Sequence, residues 1–326
     1  MYKFRNPVSP FDAPDPFMTF DTVTGYYYAL FTLGSRLELF RSRHAATIIT
    51  DGDSRVIYTP NGERDSIWGD IWAPEMHRAP NGKWYIYTSG RIKPEPSEKR
   101  IFVMEGPSDD PFDGEWIFKG MISPEIFSID PSVYTAPNGV QYLCASRVDE
   151  VYGQVLDIHE LENPYTYGKN KATIARATFD WELVPPYDEK HAIVEGAFFL
   201  ERNGRLFIIY SANGCWSDDY CLGVLEYTGG EICDAKNWKK QPEPLFVKGN
   251  GVYGVGHASF FSSPDGTEVW CAYHCLLRSN PNREEMIRHT CIQKIDFDEN
   301  DYPVMGDPVG VDRKISSPSG EIERSA

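Results

Sequence analysis

Four carboxylic acids and one histidine stand at the heads of apolar segments that recur along the chain. They are Asp15, Glu75, Asp130, Glu195 and His257. Charged side chains are seldom buried unless they are paired or functional. Two carboxyl groups across a pocket can cleave a glycosidic bond, because one protonates the leaving oxygen while the other activates water. A third carboxylate nearby would raise the pKa of the proton donor by like-charge repulsion.

The segments that carry these residues repeat every 55 to 65 positions. In each repeat the polar residue opens an apolar run, a turn follows, and further runs rich in Tyr, Trp and branched residues complete the unit. Four of the turns contain Asn-Gly or Asp-Gly, which supply the positive φ angles of tight hairpins. These turns begin at Asn81, Asn138, Asn203 and Asp265. Five units of three or four strands predict an all-β fold, a five-bladed β-propeller.

The innermost strand of each propeller blade lines the central channel. The five polar residues occupy equivalent places in their repeats, so we expect them to converge around the axis at one end of the channel. Four carboxylates at one place are costly unless they share protons, bind a cation or take part in chemistry. The pattern therefore predicts a functional site on the propeller axis.

The segments around these residues resemble glycoside hydrolase family 43 over most of the chain, from about residue 12 to residue 306. The similar motifs are Asp-Ala-Pro-Asp-Pro-Phe at 12–17, Trp-Ala-Pro-Glu-Met-His at 72–77, Ser-Ile-Asp-Pro-Ser at 128–132, Val-Glu-Gly-Ala at 194–197 and Gly-His-Ala-Ser-Phe at 256–260. Each motif is short and weakly specific alone. Their order and spacing together are specific.

The resemblance implies a five-bladed propeller that hydrolyses glycosidic bonds with inversion. By position Asp15 resembles the general base, Asp130 the acid that tunes pKa and orientation, and Glu195 the general acid. Inversion needs room for a water, so the carboxyl groups of base and acid are expected about 6.5–9.5 Å apart. His257 resembles an axial histidine that often ligates calcium or another cation, the remaining ligands being waters. Arg288 falls where the family often has an arginine that reaches the carboxylates.

Alternatives for these last two residues are a histidine bonded to backbone and a solvated arginine. Phe17, Trp72 and Trp216 are candidate platforms for a sugar ring, because aromatic faces stack on sugars. Each of them also suits packing between blades. Glu75 is expected to serve substrate binding or pocket structure, not proton transfer.

The acidic composition restricts the partners. The net charge is −16 and no stretch gathers Lys and Arg, which argues against nucleic acid and an anionic membrane surface. A neutral carbohydrate substrate is electrostatically easier. No apolar run approaches the roughly 18 residues that span a bilayer. No apolar leader follows Met1, which predicts a cytoplasmic protein unless a leader was removed.

Seven cysteines, most of them within apolar segments, are expected to be buried free thiols. A less favoured alternative is a metal site formed by Cys271 and Cys275 beside His274. No organic cofactor is expected, and calcium near His257 is the one cofactor that the resemblance suggests.

We expect one catalytic domain over residues 1–326, with a short polar tail from about residue 316. Some β-xylosidase members of the family carry a further β-sandwich module, and no such module follows here, which favours arabinofuranosidase-like members. The expected activity is inverting removal of terminal α-L-arabinofuranosyl residues from plant-type oligosaccharides or polysaccharides. Alternatives are a β-xylosidase, an endo-arabinanase, a phosphorylase and a non-catalytic sugar-binding propeller.

Overall fold

The predicted five-bladed β-propeller is confirmed. The computed structural model describes residues 2–93, 98–123, 127–282 and 286–322. Those residues contain 22 strands, and 20 of them form five four-stranded antiparallel sheets made of consecutive strands. The first strands of neighbouring sheets contact one another, so they surround a common axis.

Two strands lie outside the blades, where β1 (Lys3–Phe4) pairs with β22 (Ile315–Ser316). Blade one contains β2 (Phe17–Asp21), β3 (Tyr26–Leu30), β4 (Leu37–Ser42) and β5 (Asp53–Tyr58). Blade two contains β6 (Trp72–Arg78), β7 (Trp84–Arg91), β8 (Lys99–Glu105) and β9 (Ile117–Met121).

Blade three contains β10 (Ser128–Thr135), β11 (Gln141–Asp149), β12 (Gly153–Asn163) and β13 (Thr166–Arg176). Blade four contains β14 (Val194–Arg202), β15 (Arg205–Ala212), β16 (Cys221–Tyr227) and β17 (Trp238–Lys240). Blade five contains β18 (Tyr253–Ser262), β19 (Val269–Leu276), β20 (His289–Phe297) and β21 (Pro303–Val304).

Helices are short in the part of the chain that the structure describes. They are α1 (Gly62–Asp65) and three 3-10 turns at Ala45–Thr47, Asp180–Glu182 and Ala235–Asn237. No helix of these residues is long and apolar enough to cross a bilayer.

The middle strands show why the blades stack. Successive side chains of a strand point to opposite faces. In β15, Phe207 and Ile209 join one buried core, whereas Leu206, Ile208 and Tyr210 join another. Each face therefore packs against a different neighbouring blade, and a strand that is buried on both faces reads as a continuous apolar run.

The sequence pattern revealed three apolar runs in each repeat and did not reveal the fourth, outermost strand of each blade. The fourth strands are short or partly exposed: β17 has three residues, β21 has two, and β9 has no buried residue. Because they have only part of one face to bury, they lack the apolar pattern that marks a strand in a sequence.

The first residues of the chain close the ring against blade five. The backbone N–H of Val8 donates to the carbonyl oxygen of Thr290 at 2.8 Å. The Asn6 amide donates to the Ile292 carbonyl at 2.9 Å and accepts from the Ile292 N–H at 3.0 Å. Strand β21 pairs with β20 only at Asp296 and Phe297, so Asn6 occupies an edge of β20 that no strand of the described residues covers.

The described part of the segment after residue 315, up to residue 322, packs against the rest of the chain. Ser317 donates its N–H to the Tyr2 carbonyl at 2.9 Å. The Glu321 carboxylate accepts from the Ala45 N–H at 2.9 Å. The described part of this segment therefore ties the first residues of the chain to blade one.

Replacing Asn6 with Ala should destabilise the protein. Asn6 is 3% exposed, and its loss leaves both the N–H and the carbonyl of Ile292 without their partner. An unsatisfied buried polar group costs about 1–3 kcal/mol, so we expect the free energy of unfolding to fall by about 2–4 kcal/mol. Urea unfolding measures this. Asn170→Ala, which removes an exposed amide bonded to Glu160, is the matched control, and equal midpoints for the two variants would contradict the closure role.

Candidate active site

A left-handed backbone residue occurs in the first half of the innermost strand of every blade or, in blade one, two residues before it. The φ angles are 54° at Asp15, 43° at Ala73, 56° at Asp130, 58° at Gly196 and 47° at His257. In blades two to five this residue lies in a β-bulge. Positive φ is costly for a residue with a side chain, and such positions concentrate at functional sites.

The left-handed residues show that the five polar residues do not occupy equivalent positions in their blades, as the sequence had predicted they would. In blade two the left-handed residue is Ala73, and Glu75 comes two residues later. In blade four it is Gly196, and Glu195 comes one residue earlier. The sequence pattern compared short apolar runs and could not register the extra residue of a bulge, so it aligned the acids themselves.

A pocket of about 350 Å³ lies at this end of the inner strands. Seven of the nine predicted site residues line it: Asp15, Trp72, Asp130, Glu195, Trp216, His257 and Arg288. The other lining residues are Thr32, Phe127, Ile129, Gln154, Ile193, Cys215 and Met286. The structure thus brings three carboxyl groups and one guanidinium together inside a largely apolar wall.

Phe17 and Glu75 do not line the pocket. Phe17 is 3% exposed and packs against His77 and Phe198, with ring centroids 5.5 and 6.4 Å apart. Glu75 is buried, and its Oε2 lies 2.7 Å from Nε2 of His77. Phe17 therefore packs between blades, which was the alternative to its role as a sugar platform. Glu75 acts on the site through its charge, which contributes to raising the pKa of Asp130.

The Asp15 carboxylate lies among a hydroxyl, two imidazoles and a guanidinium. Oδ2 accepts a hydrogen bond from the Thr32 hydroxyl at 2.7 Å. Oδ1 lies 3.1 Å from Nδ1 of His274 and 3.4 Å from both Nδ1 of His257 and Nη1 of Arg288. Burial alone would raise the pKa of Asp15, but these neighbours outweigh burial and hold it well below its ordinary value.

Of the three nitrogen-containing side chains beside Asp15, Arg288 is the one that is positively charged at neutral pH. Burial lowers the pKa of His257, and it lowers that of His274 to about 4. Both imidazoles are therefore neutral near pH 7. The pKa of Arg288 is raised, chiefly because Asp15 offsets the cost of burying the guanidinium. Asp15 is consequently ionised at neutral pH.

Glu195 and Asp130 are shifted in the opposite direction. Burial, followed by the charge of Asp15, raises the pKa of Glu195 to about 7, although the Tyr220 hydroxyl donates to Oε1 at 3.0 Å. Burial and then the charges of Glu195 and Asp15 raise the pKa of Asp130 well above its ordinary value, despite a 3.1 Å hydrogen bond from the Gly196 N–H. The pocket thus holds one ionised carboxylate beside two groups that bind protons.

The cause of the Glu195 shift differs from the sequence-based expectation. A third carboxylate was expected to supply like-charge repulsion, whereas burial is the larger contribution and Asp15 supplies the repulsion. Asp130 itself retains a proton more readily than an ordinary carboxyl group, so it is a weaker source of negative charge than expected.

Several residues of the site were missed from the sequence. Thr32 accepts from the Ala73 N–H at 2.7 Å, which leaves its own proton for Asp15. The Lys99 ammonium lies 3.7 Å from the centre of the Trp72 ring and pairs with Asp70 at 3.0 Å. None of these residues belongs to a motif. They reach the site only because loops and strands from different blades converge there.

The described residues do not supply a metal site from protein side chains. No group of three or more His, Cys, Asp and Glu side chains among them is placed to hold an ion. His257 directs Nδ1 towards Asp15 and Asp130, at 3.4 and 3.9 Å, and Ca²⁺ needs six to eight oxygen ligands. The calcium expectation therefore stays a prediction. Cys271 and Cys275 are buried free thiols.

Fold and site together define a carbohydrate-cleaving propeller, with carboxyl groups of opposite protonation in one pocket. The sequence profile of glycosyl hydrolases family 43 matches residues 4–303. The chain belongs to this family and is a glycosidase.

The chain is similar to named enzymes over most of its length. An extracellular exo-α-(1→5)-L-arabinofuranosidase of Streptomyces chartreusis is 35% identical over 77% of this chain and 76% of the relative. An enzyme of the same name from Streptomyces avermitilis is 30% identical over 94% of this chain and 64% of the relative. The crystal structure of an α-L-arabinofuranosidase from Lactobacillus brevis has a TM-score of 0.84 and 25% identity, covering 94% of this chain and 98% of that one.

These relatives correct one prediction. The chain was expected to be cytoplasmic, and this expectation is wrong, because both Streptomyces relatives are described as extracellular enzymes.

Replacing Asp130 with Asn should stabilise the protein, and the gain should grow with pH. A carboxyl group whose pKa is raised on folding costs nothing below its ordinary pKa of 3.8, where it is protonated in both states. The cost appears as pH rises towards the folded pKa and is complete above it. Thermal unfolding from about pH 4 to pH 8 measures the difference, where 1 kcal/mol shifts Tm by roughly 2 °C.

The matched control for this substitution is Asp109→Asn, which neutralises an exposed side chain. It should leave Tm nearly unchanged at every pH. A stabilisation by Asp130→Asn that is constant across the pH range would contradict a titration origin.

Proposed function

We propose that this glycosidase removes terminal α-L-arabinofuranosyl residues from plant-type oligosaccharides or polysaccharides with inversion at the anomeric carbon. The observation that carries the proposal is the pairing of opposite protonation states: Asp15 is ionised beside Arg288, while the pKa of Glu195 is raised to about 7. Two carboxyl groups kept apart in this way are what acid–base cleavage of a glycosidic bond requires.

In the proposed reaction Asp15 accepts a proton from water, and the water oxygen forms a bond to the anomeric carbon. Glu195 donates its proton to the glycosidic oxygen as the bond between that oxygen and the anomeric carbon breaks. Both carboxyl groups return to their first states by exchange with solvent. Asp130 keeps Gly196, and with it the adjoining Glu195, in place through the 3.1 Å hydrogen bond from the Gly196 N–H.

The walls of the pocket support a sugar ring as the ligand. Trp72 and Trp216 offer flat apolar faces, and Ile129 and Ile193 add smaller apolar contacts. Arg288 is positioned to bind ring hydroxyl groups as well as Asp15. An arabinofuranosyl unit is favoured over other sugars because relatives of 30–35% identity are named exo-α-(1→5)-L-arabinofuranosidases.

The proposal predicts release of arabinose alone from linear α-1,5-linked arabino-oligosaccharides. A terminal-residue enzyme shortens the chain by one unit at a time, and inversion makes the β-anomer the first product. Chromatography follows the oligosaccharides, and NMR at early times identifies the anomer. Early products that are two or more units shorter than the substrate, formed without an equal amount of arabinose per bond cleaved, would support an endo-arabinanase. Turnover only of an aryl β-D-xyloside would support a β-xylosidase.

The control variants for this assay are Glu195→Gln and Glu201→Gln. Glu195→Gln should lower kcat at least about 100-fold, because general acid catalysis contributes roughly 10²–10⁴-fold. Glu201 is an exposed acid of the same strand that accepts a hydrogen bond from Tyr134, and its substitution should leave the rate unchanged. Full activity of Glu195→Gln on the oligosaccharides would refute the assigned role.

The rate should fall as pH rises through about 7. Only protonated Glu195 can donate to the leaving oxygen, and its pKa is raised to about 7. The pKa of Asp15 lies well below its ordinary value, so the base stays ionised and no loss is expected on the acidic side down to roughly pH 5. A profile of kcat/KM against pH measures both limbs. A constant kcat/KM between pH 6 and about pH 9 would contradict Glu195 as the acid.

A further inference from the structure

Tyr220 is the group that most closely restrains Glu195. It is fully buried, in the turn that precedes β16, and its hydroxyl donates to Oε1 of Glu195 at 3.0 Å. Its ring lies parallel to the His274 ring, with centroids 5.2 Å apart and an angle of 1° between the planes. A Cβ at Gly256 would lie 2.3 Å from the Tyr220 ring, so the lack of a side chain there makes room for the ring.

The direction of the hydrogen bond follows from a chain of donors. The backbone N–H of His257 can only donate, and it donates to the Ser211 hydroxyl at 2.8 Å. Ser211 in turn hydrogen-bonds the Tyr220 hydroxyl. The proton of Tyr220 is therefore directed at Glu195. A donor that is fixed in this way keeps Oε1 as an acceptor.

We propose that Tyr220 is a positioning residue for the acid step: its hydroxyl holds Oε1 of Glu195, so that Oε2 carries the proton given to the leaving group. The inference rests on the proposed function for the identity of the acid. It adds a residue that does not line the pocket and lies in none of the motifs around the carboxylates.

The same ring supports the opposite side of the site. His274, on which Tyr220 stacks, is fully buried and places Nδ1 3.1 Å from Oδ1 of Asp15. One side chain thus makes a hydrogen bond to the proton donor and a ring contact to a neighbour of the base. Loss of the hydroxyl alone should affect the donor, whereas loss of the ring should affect both.

The test compares Tyr220→Phe with wild type on two aryl α-L-arabinofuranosides, one with a good leaving group (dinitrophenol) and one with a poor one (phenol). A misplaced acid slows only the reaction that needs protonation of the leaving oxygen. We expect kcat for the poor leaving group to fall roughly 10- to 100-fold, within the range of general acid catalysis, and kcat for the good one to change less than about threefold. Glu195→Gln should show the same pattern more strongly.

Tyr273→Phe is the matched control. Tyr273 is equally buried, and its hydroxyl donates to Gln293 at 3.1 Å in the core away from the pocket. It should leave the ratio of the two rates at the wild-type value. An unchanged ratio for Tyr220→Phe, whether its rates stay at the wild-type level or fall equally on both substrates, would overturn the inference, because a merely structural role does not depend on the leaving group.

Ser211→Ala is a second variant that decides the case if Tyr220→Phe does not fold. It removes the hydrogen-bond donor to Tyr220 and keeps the Tyr220 ring. The ratio of the rates on the two aryl glycosides should therefore shift in the same direction as in Tyr220→Phe. An unshifted ratio would overturn the inference. The ratio can be determined on any glycoside that the wild type hydrolyses. Failure of the wild type on arabinofuranosides would therefore refute the proposed substrate and leave the role of Tyr220 to be judged by the ratio.

Discussion

Carboxyl groups buried in one pocket must keep different protonation states, and the rest of the site depends on this constraint. Burial favours the protonated form of all three, and it prevails at Glu195 and Asp130. At Asp15 the His257 imidazole, the Arg288 guanidinium and the His274 imidazole together outweigh it. The neighbours of Asp15 therefore keep one carboxyl group ionised beside two that bind protons more readily, although burial acts on all three in the same direction.

The propeller meets this constraint through the backbone. A left-handed residue near the start of each inner strand lies beside or at the functional residue, and the side chains reach the pocket from different blades. Asp15 precedes blade one, Asp130 and Glu195 belong to blades three and four, and Arg288 precedes the third strand of blade five. Since each blade is held by the apolar packing of its neighbours, the strained residues can keep their conformation.

The ring must be closed for the site to exist, because Asp15 and Arg288 come from opposite ends of the chain. Hydrogen bonds between the first residues and β20 supply part of this closure, and Ser259 of blade five bonds both the Pro16 carbonyl and the Met18 N–H of blade one. Stability and catalysis are thus linked at the junction of blades five and one. Asp130 and Glu195 act in the opposite sense, because the raised pKa of each means that its ionised form costs folding free energy.

The sequence by itself determined the number of blades, because hairpin turns and apolar runs with a regular period are local signals. It also singled out Asp15, Asp130 and Glu195, since an acid at the head of an apolar run is unusual. It misaligned Glu75 with the other acids, because a β-bulge shifts the register of a strand without a mark in the residue types. It left Phe17 open between a sugar platform and packing between blades, and only the structure shows that its ring is buried among neighbouring rings.

Only the tertiary structure decided which neighbours set the protonation of each carboxyl group. Thr32, His274 and Tyr220 contact the acids although they are far from them in sequence or lie in no shared motif. A pKa depends on burial and on charges a few ångströms away, and both arise from how the blades are packed. The residue types of the site could therefore be read from the sequence, whereas the fold set which carboxyl group is ionised and which ones bind protons more readily.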